Sequence, residues 1–367
     1  MSKILKSPAK YVQGPQTLAT LDQYLQGMGT RLLVIISPRG MERMQNTLHT
    51  CFNGKGYELT YELFQGECSQ VQIDRLTTRA KERACTAVIG IGGGKILDTA
   101  KAVAYGAGLP SVIIPTVAST DSPCSSLSVI YHENGEFERY LFLDTCPNMV
   151  LVDTTVIAKA PADLLVAGMG DAMATWFEAR ACRDSGSSNQ VAGLPTRAAT
   201  GLAGMCWELL QQYGPQAKQD AEAGVCSEAL ETIVEVNTYL SSVGFESGGL
   251  AAAHAIQKGF TMIPQLHRQY HGCKVAFCTV TQLVMEEAPQ EELEAVLNFC
   301  CEVGLPVCLA DMGYDEPDPA LLRLAAEKAC VPGSTIHHMP FPVTKEMLYD
   351  ALLKADAIGR AFRQEYK

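Results

Sequence analysis

The stretch that decides the fold is Val88-Ile89-Gly90-Ile91-Gly92-Gly93-Gly94-Lys95-Ile96-Leu97-Asp98. Ala87 to Ile91 is a short apolar strand, and glycines stand at 90, 92, 93 and 94. Beyond them Ile96, Leu97, Ala100, Val103 and Ala104 share one helical face. A strand, a glycine turn and a helix start present backbone N–H groups and a positive dipole end to an anion, usually a phosphate. Glycine lets the backbone approach that anion with no Cβ in the way. Two standard fingerprints do not fit. G-x-G-x-x-G needs glycine at position 95, which is Lys95, and the NTPase loop needs glycine at position 89, which is Ile89. The residues alone leave two readings open: an anion cradle, or a turn that packs a helix tightly on a strand.

Working outward, the same rhythm recurs. The spacing predicts a strand and turn up to about residue 15, a helix from Thr17 to Met28, and a buried strand from Arg31 to Ile36. Ser37-Pro38-Arg39-Gly40 then leads into a helix to about Phe52. A strand is expected from Tyr57 to Phe64, a helix from Gln72 to Ala84, and a strand from Ser111 to Pro115. Short apolar strands alternating with helices imply a parallel sheet wrapped by helices. Residues 126–143 read as two strands around Asn134-Gly135, a hairpin signal, and Met149 to Val152 as a last strand. After Pro161 the pattern is helical throughout: Leu164–Arg183, Thr196–Tyr213, Glu222–Val243, Ala251–Met262, Val275–Glu287, Glu291–Val303, Pro319–Ala329 and Lys345–Glu365. The expected architecture is an α/β N-terminal dinucleotide-binding domain with a parallel sheet over residues 1–160, and an all-α domain over 161–367 that binds metal and substrate.

A chain of 367 residues is long enough for two cores. Its net charge of −11 argues against nucleic-acid or anionic-membrane partners. No apolar run approaches the ~20 residues of a membrane span, and no basic region with a following apolar run opens the chain, so no secretory leader is expected. The fourteen cysteines are scattered with no C-x-x-C pair, which points to reduced core thiols and a cytoplasmic protein.

Three segments of the helical half join glycine to a candidate metal ligand: Gly168-Met169-Gly170-Asp171, Gly248-Gly249 with His254 among alanines, and Tyr270-His271-Gly272. A carboxylate and two imidazoles suit Zn²⁺ or Fe²⁺, and three protein ligands leave a position for substrate. Taken singly, Asp171 reads equally as a cap or ion-pair partner, His254 as a satisfied core histidine, and His271 as a solvated helix start. His267 competes with His271, and His337-His338 offers another pair.

Six segments together give the chain a specific likeness: GIGGGKILDTAKA (90–102), PTVASTDSPCSSLSVIY (115–131), PNMVLVDT (147–154), AGMGDAMATWFEARAC (167–182), NTYLSSVGFESGGLAAAHAI (237–256) and YHGCKVAF (270–277). Over essentially its whole length it resembles the glycerol dehydrogenases of the iron-containing alcohol dehydrogenase superfamily. That resemblance implies the dehydroquinate synthase-like fold of the superfamily and NAD-dependent oxidation of glycerol or a related 1,2-diol to the hydroxyketone. It implies cofactor contacts at Gly93, Gly94, Lys95, Asp98, Thr116, Ser119, Ser125, Leu127 and Tyr131, with Ser37 near the adenosine ribose. It implies that Asp121 contacts the polyol, that Asp171, His254 and His271 bind Zn²⁺, with Fe²⁺ the alternative, and that the protein is a homo-oligomer, commonly an octamer. One departure stands out. Ser37-Pro38-Arg39 replaces the acidic residue that would repel a 2′-phosphate, and Arg39 is placed to accept one, so NADP stands as the alternative although NAD remains the favoured cofactor. A dehydroquinate synthase-like lyase and a glycerol-1-phosphate dehydrogenase share the architecture. Both need clustered cations for their anionic substrates, and the segments around Asp171, His254 and His271 show no such cluster.

Overall fold

The computed structural model of the chain describes residues 1–366. They fall into two compact units: residues 6–160 with 224–226, and residues 1–5, 161–223 and 227 onward.

The first unit is built on a six-stranded sheet, all of whose pairings are parallel, in the order β1-β8-β5-β4-β2-β3. Its strands are β1 (Tyr11–Gly14), β2 (Arg31–Ile36), β3 (Glu58–Leu63), β4 (Ala87–Gly92), β5 (Ser111–Pro115) and β8 (Met149–Asp153). β4, β5 and β8 are buried at every residue, as expected of strands covered on both faces. The edge strand β3 (ELTYEL) alternates and is only half-buried. The chain runs outward from β2 to β3, then returns to place β4 on the other side of β2, with Ile36 opposite Ile91. The loops leaving β2 and β4 are therefore neighbours where the strand order reverses. In open α/β sheets that point, at the carboxyl ends of the strands, is where ligands bind.

The antiparallel pair β6 (Leu127–Tyr131) and β7 (Phe137–Phe142) stands outside this sheet, joined through Asn134-Gly135. Gly135 has φ +87, which is why glycine is suited to that turn. The predicted helix Thr17–Met28 is much shorter. A 3₁₀ turn over Thr17–Thr20 passes to Leu21–Tyr24, and the chain turns at Gly27 and Gly29, both with positive φ.

The second unit is helical among its described residues, apart from a single bridge between Lys3 and Leu194. Its helices include Ala162–Ser185, Arg197–Ala223, Ala252–Gly259, His271–Met285, Gln290–Val303, Pro319–Ala329 and Lys345–Glu365. Two expectations need correction. The helix expected to end at Tyr213 continues to Ala223 with Pro215 inside it. The single helix expected over Glu222–Val243 is broken: Gly224 at φ +68 leaves the helical region, and Ser227 caps a new helix by accepting a hydrogen bond from Leu230 N. That helix, Glu228–Glu235, continues through a π-helical turn over Val236–Leu240 into Ser241–Gly248.

No helix among the described residues is long and apolar enough to cross a membrane, and none of the fourteen cysteines forms a disulfide among them.

Candidate active site and metal centre

Two sites are built here, one in each unit. In the first unit β4 passes through Gly93 into the helix Gly94–Ala107, and no side chain caps that N-terminus. Its four glycines divide by task. A Cβ on Gly90 would lie 2.5 Å from the Ala100 Cβ, and one on Gly92 would lie 2.6 Å from Ile96 Cδ1, so these two let the helix press on the strand. A Cβ on Gly93 would meet nothing nearer than Val117 at 3.8 Å, and one on Gly94 nothing nearer than Ser122 at 3.9 Å. These two leave open space in front of a helix start whose N–H groups attract an anion. Their bareness has no packing reason and fits a close-lying phosphate.

The side chains around this turn are tied down. Lys95 is exposed and forms an ion pair with Glu67 at 2.5 Å. Asp98 is buried. One oxygen accepts from Val129 N at 3.0 Å and the other lies 2.9 Å from Lys101 Nζ, so Asp98 fastens the helix to β6. Lys101, buried inside the apolar face, donates to the carbonyls of Ser122 (3.0 Å) and Leu127 and reaches Ser125 Oγ at 3.4 Å. It holds the Ser122–Leu127 segment, and sequence reasoning missed it. The available signal was a cation placed among Leu97, Ala100 and Ala104, where only a paired charge is tolerated.

Thr116 and Ser119 are half-buried on the loop after β5, and Asp121 is buried just before the turn Ser122–Cys124. Ser125 is buried and donates to Ser122 O. Leu127 and Tyr131 lie half-buried at the two ends of β6, and burial pushes the Tyr131 phenol up to about 12, so it remains a neutral hydrogen-bond donor. The Ser37 hydroxyl accepts from Gly40 N at 3.0 Å and so caps the helix Pro38–Phe52, while Arg39 is exposed.

In the second unit three helices bring one candidate metal ligand each. Asp171 comes from the middle of Ala162–Ser185, His254 from Ala252–Gly259, and His271 is the first residue of His271–Met285. Asp171 Oδ1 lies 3.3 Å from His254 Nε2 and 3.2 Å from His271 Nε2. One donor atom from each residue lies within 4.8 Å of the others.

Glycines make this approach possible. A Cβ on Gly272 would fall 1.7 Å from the carbonyl oxygen of Ala167, and one on Gly170 would fall 2.4 Å from the carbonyl oxygen of Gly272. The two helices therefore touch backbone to backbone beside the ligands. Exposure is graded: the Asp171 side chain is fully buried, that of His254 is 11% exposed and that of His271 is 37% exposed. The cluster is closed behind Asp171 and open past His271. His267 is not part of it, since its Nε2 faces Thr261 O at 3.0 Å, nor is His338, whose Nδ1 faces Leu250 O at 2.8 Å.

Burial opposes charge at both inner ligands but is outweighed. His271 and His254 hold the Asp171 carboxyl below the usual carboxylate range, and Glu178 with Asp171 raises His254 well above a free imidazole. A buried carboxylate facing two imidazole nitrogens offers the O, N, N donor set of a zinc or iron site, with an open side for a further ligand. The residues fit a divalent metal. Behind His254 stands Glu178, which the sequence reading did not single out. Its Oε2 lies 2.5 Å from His254 Nδ1.

The chain is similar to known dehydrogenases over its whole length. The family "Iron-containing alcohol dehydrogenase" matches residues 8–154. The chain is 51% identical to a glycerol dehydrogenase of Escherichia coli O6:H1 over 367 residues, covering all of both chains. Among solved structures, a probable glycerol dehydrogenase from Sinorhizobium meliloti superposes with a TM-score of 0.91 at 40% identity, over 98% of this chain and 99% of that one. The glycerol dehydrogenase of Schizosaccharomyces pombe superposes at 0.95 and 34% identity, over 100% of this chain and 93% of that one.

Proposed function

The chain belongs to the iron-containing alcohol dehydrogenase family, and from that premise we propose that it is a metal-dependent, NAD-linked glycerol dehydrogenase. It removes a hydride from the secondary carbon of glycerol, or of a related 1,2-diol, to give dihydroxyacetone or the corresponding hydroxyketone, NADH and a proton. The observation that carries this reading is the convergence of Asp171, His254 and His271 on one small volume, open on the His271 side.

In this reading those three residues hold Zn²⁺, with Fe²⁺ the alternative. A divalent metal there lowers the pKa of an alcohol hydroxyl and polarises a ketone in the reverse direction. The chain's own groups supply the rest. The free N–H end of the helix after Gly93 and Gly94 attracts the cofactor's pyrophosphate. Lys95 lies beside it, Asp98 and Lys101 hold the segment that carries Ser125 and Leu127, and Thr116, Ser119 and the neutral Tyr131 offer hydroxyls to the cofactor. Ser37 lies at the loop neighbouring the glycine turn, where the adenosine ribose is expected. Asp121 orients the neighbouring hydroxyl of the polyol and passes on its proton.

The full-length identity to glycerol dehydrogenases disfavours the lyase and glycerol-1-phosphate readings. We extend the proposal to a homo-oligomer, an octamer being the form the resemblance implies, and to a cytoplasmic location; sedimentation and cell fractionation check these.

Initial rates of NADH formation with glycerol, 1,2-propanediol and glycerol 1-phosphate test the reading. It predicts turnover of both free polyols and none of the phosphate ester. A zinc-loaded protein inert toward both polyols would refute it. Asp121→Asn should lower kcat for glycerol, and unchanged kcat and KM would remove Asp121 from the scheme.

A further inference from the structure

We propose that Glu178 is the positioning residue that decides which nitrogen of His254 is available to a metal, and that only a carboxylate can do this at that place. The inference rests on the metal-site reading above and deepens it.

Glu178 sits seven residues after Asp171 on the same helix and is fully buried. Three hydrogen-bond donors converge on its two oxygens. Oε1 accepts from Ala251 N at 2.8 Å and from His254 N at 3.0 Å, and Oε2 lies 2.5 Å from His254 Nδ1. A carboxylate can only accept, so in the neutral ring Nδ1 carries the proton and Nε2 holds the lone pair that faces the site beside Asp171. The same group therefore fixes the backbone where the helix Ala252–Gly259 begins and the tautomer of the imidazole that this helix presents. Its negative charge also stands at the positive end of that helix.

Gln282 completes the clamp. Fully buried, it accepts from Ala253 N at 3.0 Å through Oε1, and its amide donates to Phe177 O at 3.2 Å and to Glu286 Oε1 at 2.9 Å. The N–H groups of Ala251, Ala253 and His254 are thus met by two buried side chains from two other helices, and the imidazole has little freedom to turn.

The requirement for a carboxylate follows from counting acceptors. Glutamine has the same shape but one acceptor oxygen and one donor NH₂. If its oxygen faces the two backbone donors, its NH₂ faces Nδ1. Nδ1 must then accept, the ring proton moves to Nε2, and the nitrogen facing Asp171 loses its lone pair. If its oxygen faces Nδ1–H instead, its NH₂ confronts two backbone donors in a buried place. Neither arrangement serves all three.

The test is the Zn²⁺ dissociation constant of the full-length protein, measured by chelator competition without substrate or NAD, for the parent, Glu178→Gln and Glu178→Asp. Co²⁺ absorption spectra report the ligand geometry in parallel. Glu178→Gln should weaken zinc binding about 10–100-fold, the range typical of a lost partner behind a ligating histidine, and should alter the cobalt bands. Glu178→Asp keeps two acceptor oxygens and should lie between the parent and Glu178→Gln. A role confined to capping the helix would lower the melting temperature and leave zinc affinity in the folded protein unchanged. That result in Glu178→Gln, or in Glu178→Asp where the former does not fold, overturns the proposal. A parent protein that binds no zinc at all removes the metal-site reading, and this inference with it.

Discussion

The two sites use glycine for opposite ends. At Gly93 and Gly94 the missing side chains leave empty space in front of a helix start, so the backbone there is bare. At Gly170 and Gly272 the missing side chains are replaced by the neighbouring helix, whose carbonyl oxygens occupy the volume a Cβ would need. One pair of glycines leaves a helix start open, and the other makes a close joint that sets Asp171 beside His271. A glycine-rich motif therefore does not reveal its purpose until its neighbours are known.

Substitutions can break or sharpen that contrast. The largest effect is expected at the centre of the close joint. Asp171→Ala removes the carboxylate that faces both histidines and should reduce kcat/KM for glycerol by about a thousandfold or more, in keeping with the several kcal/mol a Lewis acid supplies. Steady-state kinetics at saturating NAD check this.

Next comes Gly272→Ala. A Cβ 1.7 Å from a backbone oxygen cannot be relieved by turning a side chain, so urea unfolding should show a loss of about 3 kcal/mol or more, at the upper end of overpacking costs. Gly94→Val should behave differently: unfolding little changed, zinc content unchanged, and KM for NAD raised about tenfold or more, equivalent to ~1.4 kcal/mol of lost cofactor binding. A Gly94→Val protein that unfolds or loses zinc would show that the contrast between the two glycine pairs is false.

A smaller effect concerns pH. His254 in the metal-free protein has a raised pKa, so its contribution to folding is complete below the unfolded value near 6.5 and is lost as pH rises through the raised one. Asp171 has a lowered pKa, and its contribution is present above about 3.9 and lost as pH falls. Zinc must displace the proton from His254 Nε2. Its affinity should therefore rise with pH by about tenfold per unit while His254 remains protonated in the metal-free form. Affinity independent of pH between 5 and 7, measured by chelator competition, would contradict this. The smallest effect is expected at exposed Arg39, where Arg39→Asp should lower any use of NADP by about tenfold or less and leave zinc binding untouched.

Much of the first unit was legible because its strands carry strong local signals. RLLVII, AVIGIG and MVLV are apolar runs of strand length, and Asn134-Gly135 marks its own turn. The strand order was not legible. β1 pairs with β8 across more than a hundred residues, and no local pattern reports that. In the helical unit, periodicity found the helices but ran across Gly224, because a helix ending at Ala223 and another capped by Ser227 share a continuous apolar spacing.

The site shows the same division. Asp171, His254 and His271 each had a local signal in glycine neighbours and a polar group among apolar ones. Glu178 had less, since a glutamate in a helix is ordinary and its partners lie 73 and 76 residues away in sequence. Lys101 was hidden for a similar reason, its acceptors being 21 to 26 residues on. Residues whose role is to hold another residue acquire it only from the tertiary fold.

The central claim is that a metal held by Asp171, His254 and His271 and a nicotinamide cofactor at the glycine turn together oxidise a polyol. The most direct measurement is NADH formation from glycerol by one preparation before metal removal, after it, and after Zn²⁺ is restored. The claim predicts that activity disappears on removal and returns with Zn²⁺, while the metal-free protein still binds NADH. Full glycerol oxidation by the metal-free protein would contradict it.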